Sequence, residues 1–186
     1  RLSMKFINCT IPGLIICEPK KLKDKRGFFA ESFRKDLFEN FSGIKVDFCQ
    51  ENLSESKYGV LRGLHFQKMP YQQSKLISVL KGKILDVAVD IRKNSKFYGQ
   101  YFSVELDDIC NKQLYIPKGF AHGFVVLSKL ARVNYKVDNY YNPNSEEGLN
   151  YNDPELNIDW KIEEKDIIIN SKDCNYSDFN SKIFFK

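Results

Sequence analysis

The chain has 186 residues, of which 42% are hydrophobic and 14% are aromatic, and it carries a formal net charge of +5 at pH 7. This composition predicts one folded domain with a sizeable core, over residues 4–186, and excludes a disordered chain. The longest apolar runs, at 11–17 and 85–91, fall far short of the roughly 18 residues that span a bilayer, so no membrane partner is predicted.

One helix and several strands are predicted in chain order. Residues 35–40 form a peripheral helix that places Leu37 and Phe38 on one side together with Phe41. Apolar and polar residues then alternate with period two in four short segments, at 76–80, 84–91, 101–106 and 132–137. A short helix is expected near 153–156. The predicted fold is therefore all-β, an antiparallel sandwich or barrel with a few short peripheral helices.

The start of the chain and its cysteines indicate where the protein resides. Arg1, Leu2 and Ser3 precede Met4, so we expect Met4 to be the natural start and the three residues to be a remnant of expression, with no signal peptide. The five cysteines are odd in number and form no C-x-x-C pair. They predict reduced thiols in a cytoplasmic protein, without a zinc or dithiol site.

A basic stretch at 20–26 contributes part of the positive charge. It contains four lysines and Arg26, a composition typical of a solvated loop. No nucleic-acid recognition motif lies beside it. No nucleic-acid partner is therefore predicted.

The chain has only two histidines, His65 and His122, and each lies among glycines and aromatics. A histidine taken alone most often has a structural role. Strict alternation would put Arg62 and His65 on opposite faces of a strand, yet Gly63 between them permits a β-bulge that turns both inward. A cation and a proton-accepting imidazole would then share one cavity.

Several motifs in a fixed order give the chain a resemblance to a known family. They are DKRGFFAES at 24–32, QEN at 50–52, VLRGLHFQ at 60–67, DVAVDIR at 86–92, YIPKGFAHGF at 115–124 and YYNP at 140–143. Over about 7–173 the chain resembles dTDP-4-dehydrorhamnose 3,5-epimerases, enzymes of dTDP-L-rhamnose synthesis. The resemblance implies a cupin-type jelly roll, a homodimer and a nucleotide diphosphate sugar as the substrate.

The resemblance also implies roles for individual residues. It makes His65 the catalytic base, Asp173 the carboxylate that orients it, and Tyr135 the opposing acid. It places Lys75 near the ketone oxygen, where a fixed ammonium can stabilise an enolate. It further implies nucleotide-sugar-binding roles for a larger set, in which Tyr141 stacks against thymine. This set is Arg26, Glu31, Gln50, Asn52, Arg62, His122, Tyr141, Glu146 and Lys172.

The residue pattern agrees with part of this assignment. Val133, Tyr135 and Val137 share one face of a predicted strand, so Tyr135 can point inward among apolar groups, although packing is the commoner role of a tyrosine. Asp86 and Asp90 share a face of another strand. They either line the cavity or make structural hydrogen bonds.

The implied reaction moves only protons. A 4-keto group acidifies the hydrogens at C3 and C5, so a base can form an enolate that an acid reprotonates on the other face. The predicted reaction converts dTDP-4-dehydro-6-deoxy-D-glucose to dTDP-4-dehydro-L-rhamnose. No hydride moves and the chain has no G-x-G-x-x-G motif, so no cofactor is predicted.

Other functions stay open. The enzyme could invert C3 alone, or it could act on a related 4-keto sugar such as a GDP-linked 6-deoxy-4-keto-heptose. A metal-dependent cupin oxygenase is disfavoured because such sites normally have closely spaced histidines, whereas this chain has no H-x-H pair, and no metal site is predicted. A non-catalytic sugar-binding jelly roll is disfavoured because both proton-transfer residues are present.

Overall fold

The computed structural model describes residues 4–179, which form β-strands and a few short helices. The first elements are β1 (Met4–Asn8), β2 (Ile15–Pro19), β3 (Leu22–Asp24), β4 (Gly27–Phe29), α1 (Lys35–Ser42), β5 (Gln50–Lys57), β6 (Leu61–Gln67) and β7 (Lys75–Lys81). They are followed by β8 (Lys83–Asp90), β9 (Tyr101–Asp107), β10 (Gln113–Ile116), β11 (Phe120–Val126), β12 (Leu130–Val137), β13 (Glu146–Gly148), a 3-10 helix (Glu164–Asp166) and α2 (Ser171–Cys174).

Two antiparallel sheets pack face to face. The first has six strands in the order β1-β2-β10-β7-β12-β5, and the second has five in the order β13-β6-β11-β8-β9. The main core lies between them and combines Ile77 and Val133 of the first sheet with Ile84, Ala88 and Phe124 of the second. Strands β3 and β4 form a separate hairpin. The predicted all-β sandwich is confirmed.

The four predicted period-two segments are all strands, namely β7, β8, β9 and β12. Strand β8 is covered on both faces: Ile84 and Ala88 enter the main core, whereas Leu85 and Val87 enter a second core. This second core is closed by the C-terminal segment 149–179, which includes Trp160. The segment therefore wraps the outer face of the five-stranded sheet and brings α2 beside β6.

The predicted helix near the N-terminus is confirmed as α1, whose buried Phe38 packs against the outer face of the six-stranded sheet. The predicted helix at 153–156 is wrong. Residues 154–156 make only a single turn, in which Asp153 Oδ1 accepts hydrogen bonds from the backbone N–H groups of Glu155 and Leu156, at 2.7 and 3.1 Å, as an N-cap residue does. Asn157 follows with φ 45°, which ends any helical path.

Candidate active site

A bulge in β6 turns Arg62 and His65 toward the same cavity. Arg62 lies opposite Phe124 and His65 opposite His122, so β6 uses one residue more than β11 between these two pairs. Gly63 lies in the bulge with φ 125°, and a Cβ there would come within 2.6 Å of the β11 backbone. Only glycine fits this position, and the predicted bulge is present.

Two adjoining cavities of about 270 Å³ each open beside this bulge, and they share His65, Lys75, Tyr135, Tyr141 and Glu146 as lining residues. They bring together most of the predicted site. The predicted residues in their walls are His65, Tyr135, Asp173, Lys75, Gln50, Asn52, Arg62, His122, Tyr141, Glu146 and Lys172.

His65 is paired with a buried carboxylate. Its Nε2 lies 2.8 Å from Asp173 Oδ1, and Asp173 Oδ2 accepts a hydrogen bond from the Gly63 amide at 3.0 Å. Burial would raise the pKa of Asp173, but the hydrogen bond and charge of His65, with the Gly63 amide, hold it below its ordinary value. Asp173 therefore stays ionised and orients the imidazole, which leaves Nδ1 for proton transfer.

The start of α2 fixes Asp173. The Asn170 side chain accepts a hydrogen bond from the Asp173 backbone N–H at 2.7 Å and caps the helix. The side chain of Asp173 is thereby held over β6, although more than 100 residues separate it from His65 in the sequence.

A second histidine–carboxylate pair lies deeper. His122 Nε2 is 2.7 Å from Asp86 Oδ1, and both residues are buried. Burial lowers the pKa of His122, against the opposing effect of Asp86. Burial also lowers the pKa of Lys75 to about 8, against the negative charges of Asp86 and Glu146. Lys75, which lines both cavities, can therefore be an ammonium or a neutral amine near neutral pH.

Asp86 and Asp90 were each expected either to line the cavity or to make structural hydrogen bonds, and the structure favours the second alternative. Asp86 is the partner of His122 and is absent from the lining of the two cavities. Asp90 accepts hydrogen bonds from Arg92 at 2.9 and 2.6 Å and from Ser95 at 2.6 Å. Both carboxylates therefore make structural hydrogen bonds.

Tyr135 lies on the wall opposite His65. It belongs to β12 of the six-stranded sheet, whereas His65 belongs to β6 of the five-stranded sheet. The neighbouring Val133 and Val137 are buried on the same face, as predicted. Burial raises the pKa of Tyr135, with Arg62 opposing the shift. The hydroxyl therefore stays protonated near neutral pH and can donate a proton.

A polar cluster closes one end of the cavities. The Tyr141 hydroxyl donates to Glu146 Oε2 at 2.8 Å, and Lys172 Nζ donates to the same oxygen. Burial would raise the pKa of Glu146, but these two hydrogen bonds hold it below its ordinary value. Gln50 accepts from the Tyr141 amide at 3.0 Å and donates to Asn52 at 2.9 Å. The cluster places cationic and hydrogen-bonding groups around a space fit for a polar ligand.

Two predicted binding residues lie outside these cavities. Arg26 is in the turn of the β3–β4 hairpin, where its side chain is 84% exposed and pairs with Asp24. Glu31 pairs with Arg34 at 3.3 Å. The hairpin is a separate sheet that follows β2, so within one chain these residues do not line the site with the others.

Gln67 is a site residue that the sequence reading missed. Its side chain is buried, accepts from the Asn142 amide at 2.7 Å and donates to the Tyr71 and Tyr140 carbonyls at 2.6 and 3.2 Å. It thus ties together two loops that frame the cavity. Gln67 lies two positions beyond His65 on β6, so the period-two pattern could have found it.

A larger cavity of about 870 Å³ contains none of the predicted site residues. Its cations are Arg92, Lys93, Lys96 and Lys118. Lys93 and Lys96 are exposed and the other two already have carboxylate partners. We assign the site to the smaller pair of cavities because they hold buried, paired titratable groups.

Neither a metal cluster nor a membrane-spanning helix is found between residues 4 and 179. In this part of the chain no three histidine, cysteine or acidic side chains group to hold a metal ion. No helix in it is long and apolar enough to cross a bilayer.

Comparison with known proteins identifies the family. The family model for dTDP-4-dehydrorhamnose 3,5-epimerase matches residues 8–181. The chain belongs to the dTDP-4-dehydrorhamnose 3,5-epimerase family. The dTDP-4-dehydrorhamnose 3,5-epimerase of Shigella flexneri is 44% identical to it, over 98% of this chain and 99% of the relative.

Solved structures of epimerases agree with this membership. The dTDP-4-dehydrorhamnose 3,5-epimerase of Elizabethkingia anophelis NUHP1 is 46% identical, with a TM-score of 0.94 over 97% of this chain and 99% of that one. The dTDP-6-deoxy-D-glucose-3,5-epimerase of Legionella pneumophila Philadelphia 1, in complex with dTDP-4-keto-L-rhamnose, is 47% identical, with a TM-score of 0.92 over 96% and 94% of the two chains. The predicted enzyme class, a carbohydrate epimerase and hence an isomerase, is confirmed.

Proposed function

We propose that the paired cavities epimerise a thymidine-diphosphate-linked 4-keto-6-deoxy sugar at C3 and C5, with His65 as the base and Tyr135 as the acid. One observation carries this proposal. His65 and Tyr135 line the same space from two facing sheets, so they can reach opposite faces of one sugar ring. Inversion at a carbon requires this arrangement of proton acceptor and proton donor.

His65 and Lys75 together form the enolate. His65, held by Asp173, takes a proton from the carbon next to the ketone, and the electron pair of that bond moves onto the ketone oxygen. The Lys75 ammonium stabilises the negative charge that develops there. Because its pKa is about 8, Lys75 is mostly protonated at neutral pH.

Tyr135 completes the inversion from the other face. Its hydroxyl gives a proton to the enolate carbon, which restores the ketone with the opposite configuration. The raised pKa of Tyr135 keeps this proton on the hydroxyl until the enolate accepts it. A second round at the other carbon converts dTDP-4-dehydro-6-deoxy-D-glucose to dTDP-4-dehydro-L-rhamnose.

The remaining residues of the cavity bind the nucleotide sugar. Arg62 and Lys172 supply positive charge for the diphosphate, and Tyr141 offers a half-exposed ring for the thymine. Gln50 and Asn52 supply amide groups at the same end. The dTDP-4-keto-L-rhamnose in the Legionella pneumophila structure supports a dTDP-sugar as the ligand.

The β3–β4 hairpin supports a homodimer in which each copy completes the site of the other. Phe28 and Phe29 on the hairpin are 59% and 62% exposed, an apolar surface that association would cover. Arg26 at its turn and the nearby Glu31, both predicted to bind the substrate, would then reach the site of the partner.

Mixing two variants tests this dimer. Arg26→Ala and His65→Asn proteins are each expected to be poorly active, whereas dimers that contain one copy of each have one site with both His65 and Arg26. Co-expression should therefore restore activity. Activity no higher than that of the separate variants, in dimers shown to be mixed, would contradict the exchange of Arg26.

We further propose that the enzyme works in the cytoplasm without a metal or a redox cofactor and without nucleic-acid or membrane partners. All five cysteines are free thiols, as suits a reducing compartment. The reaction transfers protons only, and Lys75 supplies the positive charge that a metal would otherwise provide.

One experiment tests the reaction itself. The protein is incubated with dTDP-4-dehydro-6-deoxy-D-glucose in deuterated water, and the incorporated deuterium is located by NMR. We expect deuterium at C3 and C5 together with the L-configured product. Deuterium at C3 alone would identify a C3 epimerase, and no incorporation at either carbon would contradict the proposal.

A further inference from the structure

The ring of Tyr176 packs against the proposed base. Tyr176 follows α2, and its ring lies 5.8 Å from the His65 ring, centroid to centroid, at an interplanar angle of 77°. This edge-to-face geometry is a favourable one for two aromatic rings. Tyr176 has no part in the motifs or roles described above.

Gly148 provides the room for this ring. A Cβ at Gly148 would lie 2.3 to 2.5 Å from three carbons of the Tyr176 ring. The φ of Gly148 lies outside the left-handed region, so its backbone does not demand glycine. Gly148 pairs with His65 across β13 and β6. Strand β13, which lies beside His65, therefore has no side chain at the position that the Tyr176 ring occupies.

His65 is thus held from two sides by one short segment of chain. Asp173 binds its Nε2, and the ring of Tyr176, three residues further on, meets the imidazole edge to face. The side chain of His65 is 28% exposed, whereas that of Asp173 is only 2% exposed. A hydrogen bond between the two is stronger when water is excluded.

We infer that Tyr176 is a positioning residue for His65: its ring fixes the imidazole against Asp173 and keeps water from their hydrogen bond. The inference deepens the proposed function, since it rests on His65 as the base. It assigns the effect to the ring rather than to the hydroxyl.

Two substitutions separate the ring from the hydroxyl. Tyr176→Ala should lower kcat about tenfold, the size expected from one aromatic contact, with KM little changed. Tyr176→Phe keeps the ring and should retain kcat near the wild-type value. Tyr58→Ala, which removes a tyrosine ring that lines neither cavity, is the control for a general loss of stability. Equal losses in Tyr176→Phe and Tyr176→Ala would overturn the assignment to the ring.

Gly148→Ala tests the same contact from the other side, because the new Cβ must displace the Tyr176 ring. It should lower kcat as Tyr176→Ala does. In the double variant Gly148→Ala with Tyr176→Ala, the ring that the new Cβ would strike is gone. The kcat of the double variant should therefore match that of Tyr176→Ala alone. Losses that multiply in the double variant would show that the two residues act independently and would overturn the inference.

A readout that needs no turnover comes from the two imidazoles. In protein labelled with ¹⁵N-histidine, the His65 Nε2 proton is identified by its loss in His65→Asn, and the buried His122 is an internal standard. Exchange of the His65 proton with water should be faster in Tyr176→Ala and unchanged in Tyr176→Phe. Equal exchange rates in all three proteins would overturn the inference. A wild-type protein that does not epimerise the sugar, yet shows this pattern, would instead contradict the proposed function.

Discussion

Asp173 Oδ1 lies 2.8 Å from His65 Nε2, although 108 positions separate the two residues in the sequence. The bulge at Gly63 and the cap at Asn170 produce this contact together, because one turns His65 inward and the other fixes Asp173 over it. The imidazole is thereby oriented before any substrate arrives. Such preorganisation is a large part of what a catalytic base needs.

Asp173→Asn removes the charge but keeps the size of the side chain. We expect turnover to fall by about 10² to 10⁴, the usual contribution of a general base, because the imidazole loses the carboxylate that fixes its tautomer. Steady-state kinetics with a melting curve check this prediction. Wild-type turnover in the folded variant would mean that the pair is structural only.

His65→Asn removes the base and keeps a polar side chain of similar size. Both inversions need this base, so product formation should fall by at least about 10² to 10⁴, while nucleotide binding persists. Binding of dTDP measured by calorimetry is the control. A folded variant that still forms product at nearly the wild-type rate would exclude His65 as the base.

The lowered pKa of Lys75 predicts how the turnover rate declines at alkaline pH. Burial lowers its pKa to about 8, so the ammonium that stabilises the enolate is present below pH 8 and is lost above it. We expect kcat to fall as the pH rises through about 8. Lys75→Gln should be slow throughout and should lack this limb. A wild-type profile that stays flat to pH 10 would contradict the role of Lys75.

Removal of metal ions should leave the enzyme active. Proton transfer beside a ketone is assisted by Lys75, and none of the described residues 4–179 form a cluster of metal ligands. Turnover measured after exhaustive treatment with EDTA should equal the untreated value. Loss of activity that zinc, iron or manganese restores would require a metal-dependent mechanism.

The strands and the bulge were predictable because they depend on local pattern. Period-two alternation located β7, β8, β9 and β12, and Gly63 marked the bulge since no other residue fits there. Segment 153–156 does begin as a helix would, with Asp153 in the N-cap position, but Asn157 adopts φ 45° and ends the segment after one turn, which the local sequence pattern does not reveal.

The side-chain partners of the two histidines were not predictable from pattern alone. Asp86 meets His122 only through the register of β8 against β11, and Tyr176 meets His65 only through the path of the C-terminal segment. Both contacts join residues distant in sequence. The roles of His65 and Asp173 came from the resemblance to a family, and the geometry gives them a physical basis.

The central claim is that His65 and Tyr135 act from opposite faces of the sugar, and Tyr135→Phe tests it most directly. The ring still packs, and only the proton donor is lost. In deuterated water, His65 can still remove a proton and return deuterium to the same face. We predict that the variant exchanges hydrogen for deuterium at one carbon or more, while it forms much less inverted product than the wild type. Equal loss of exchange and of inversion, in a variant that binds nucleotide normally, would contradict the account.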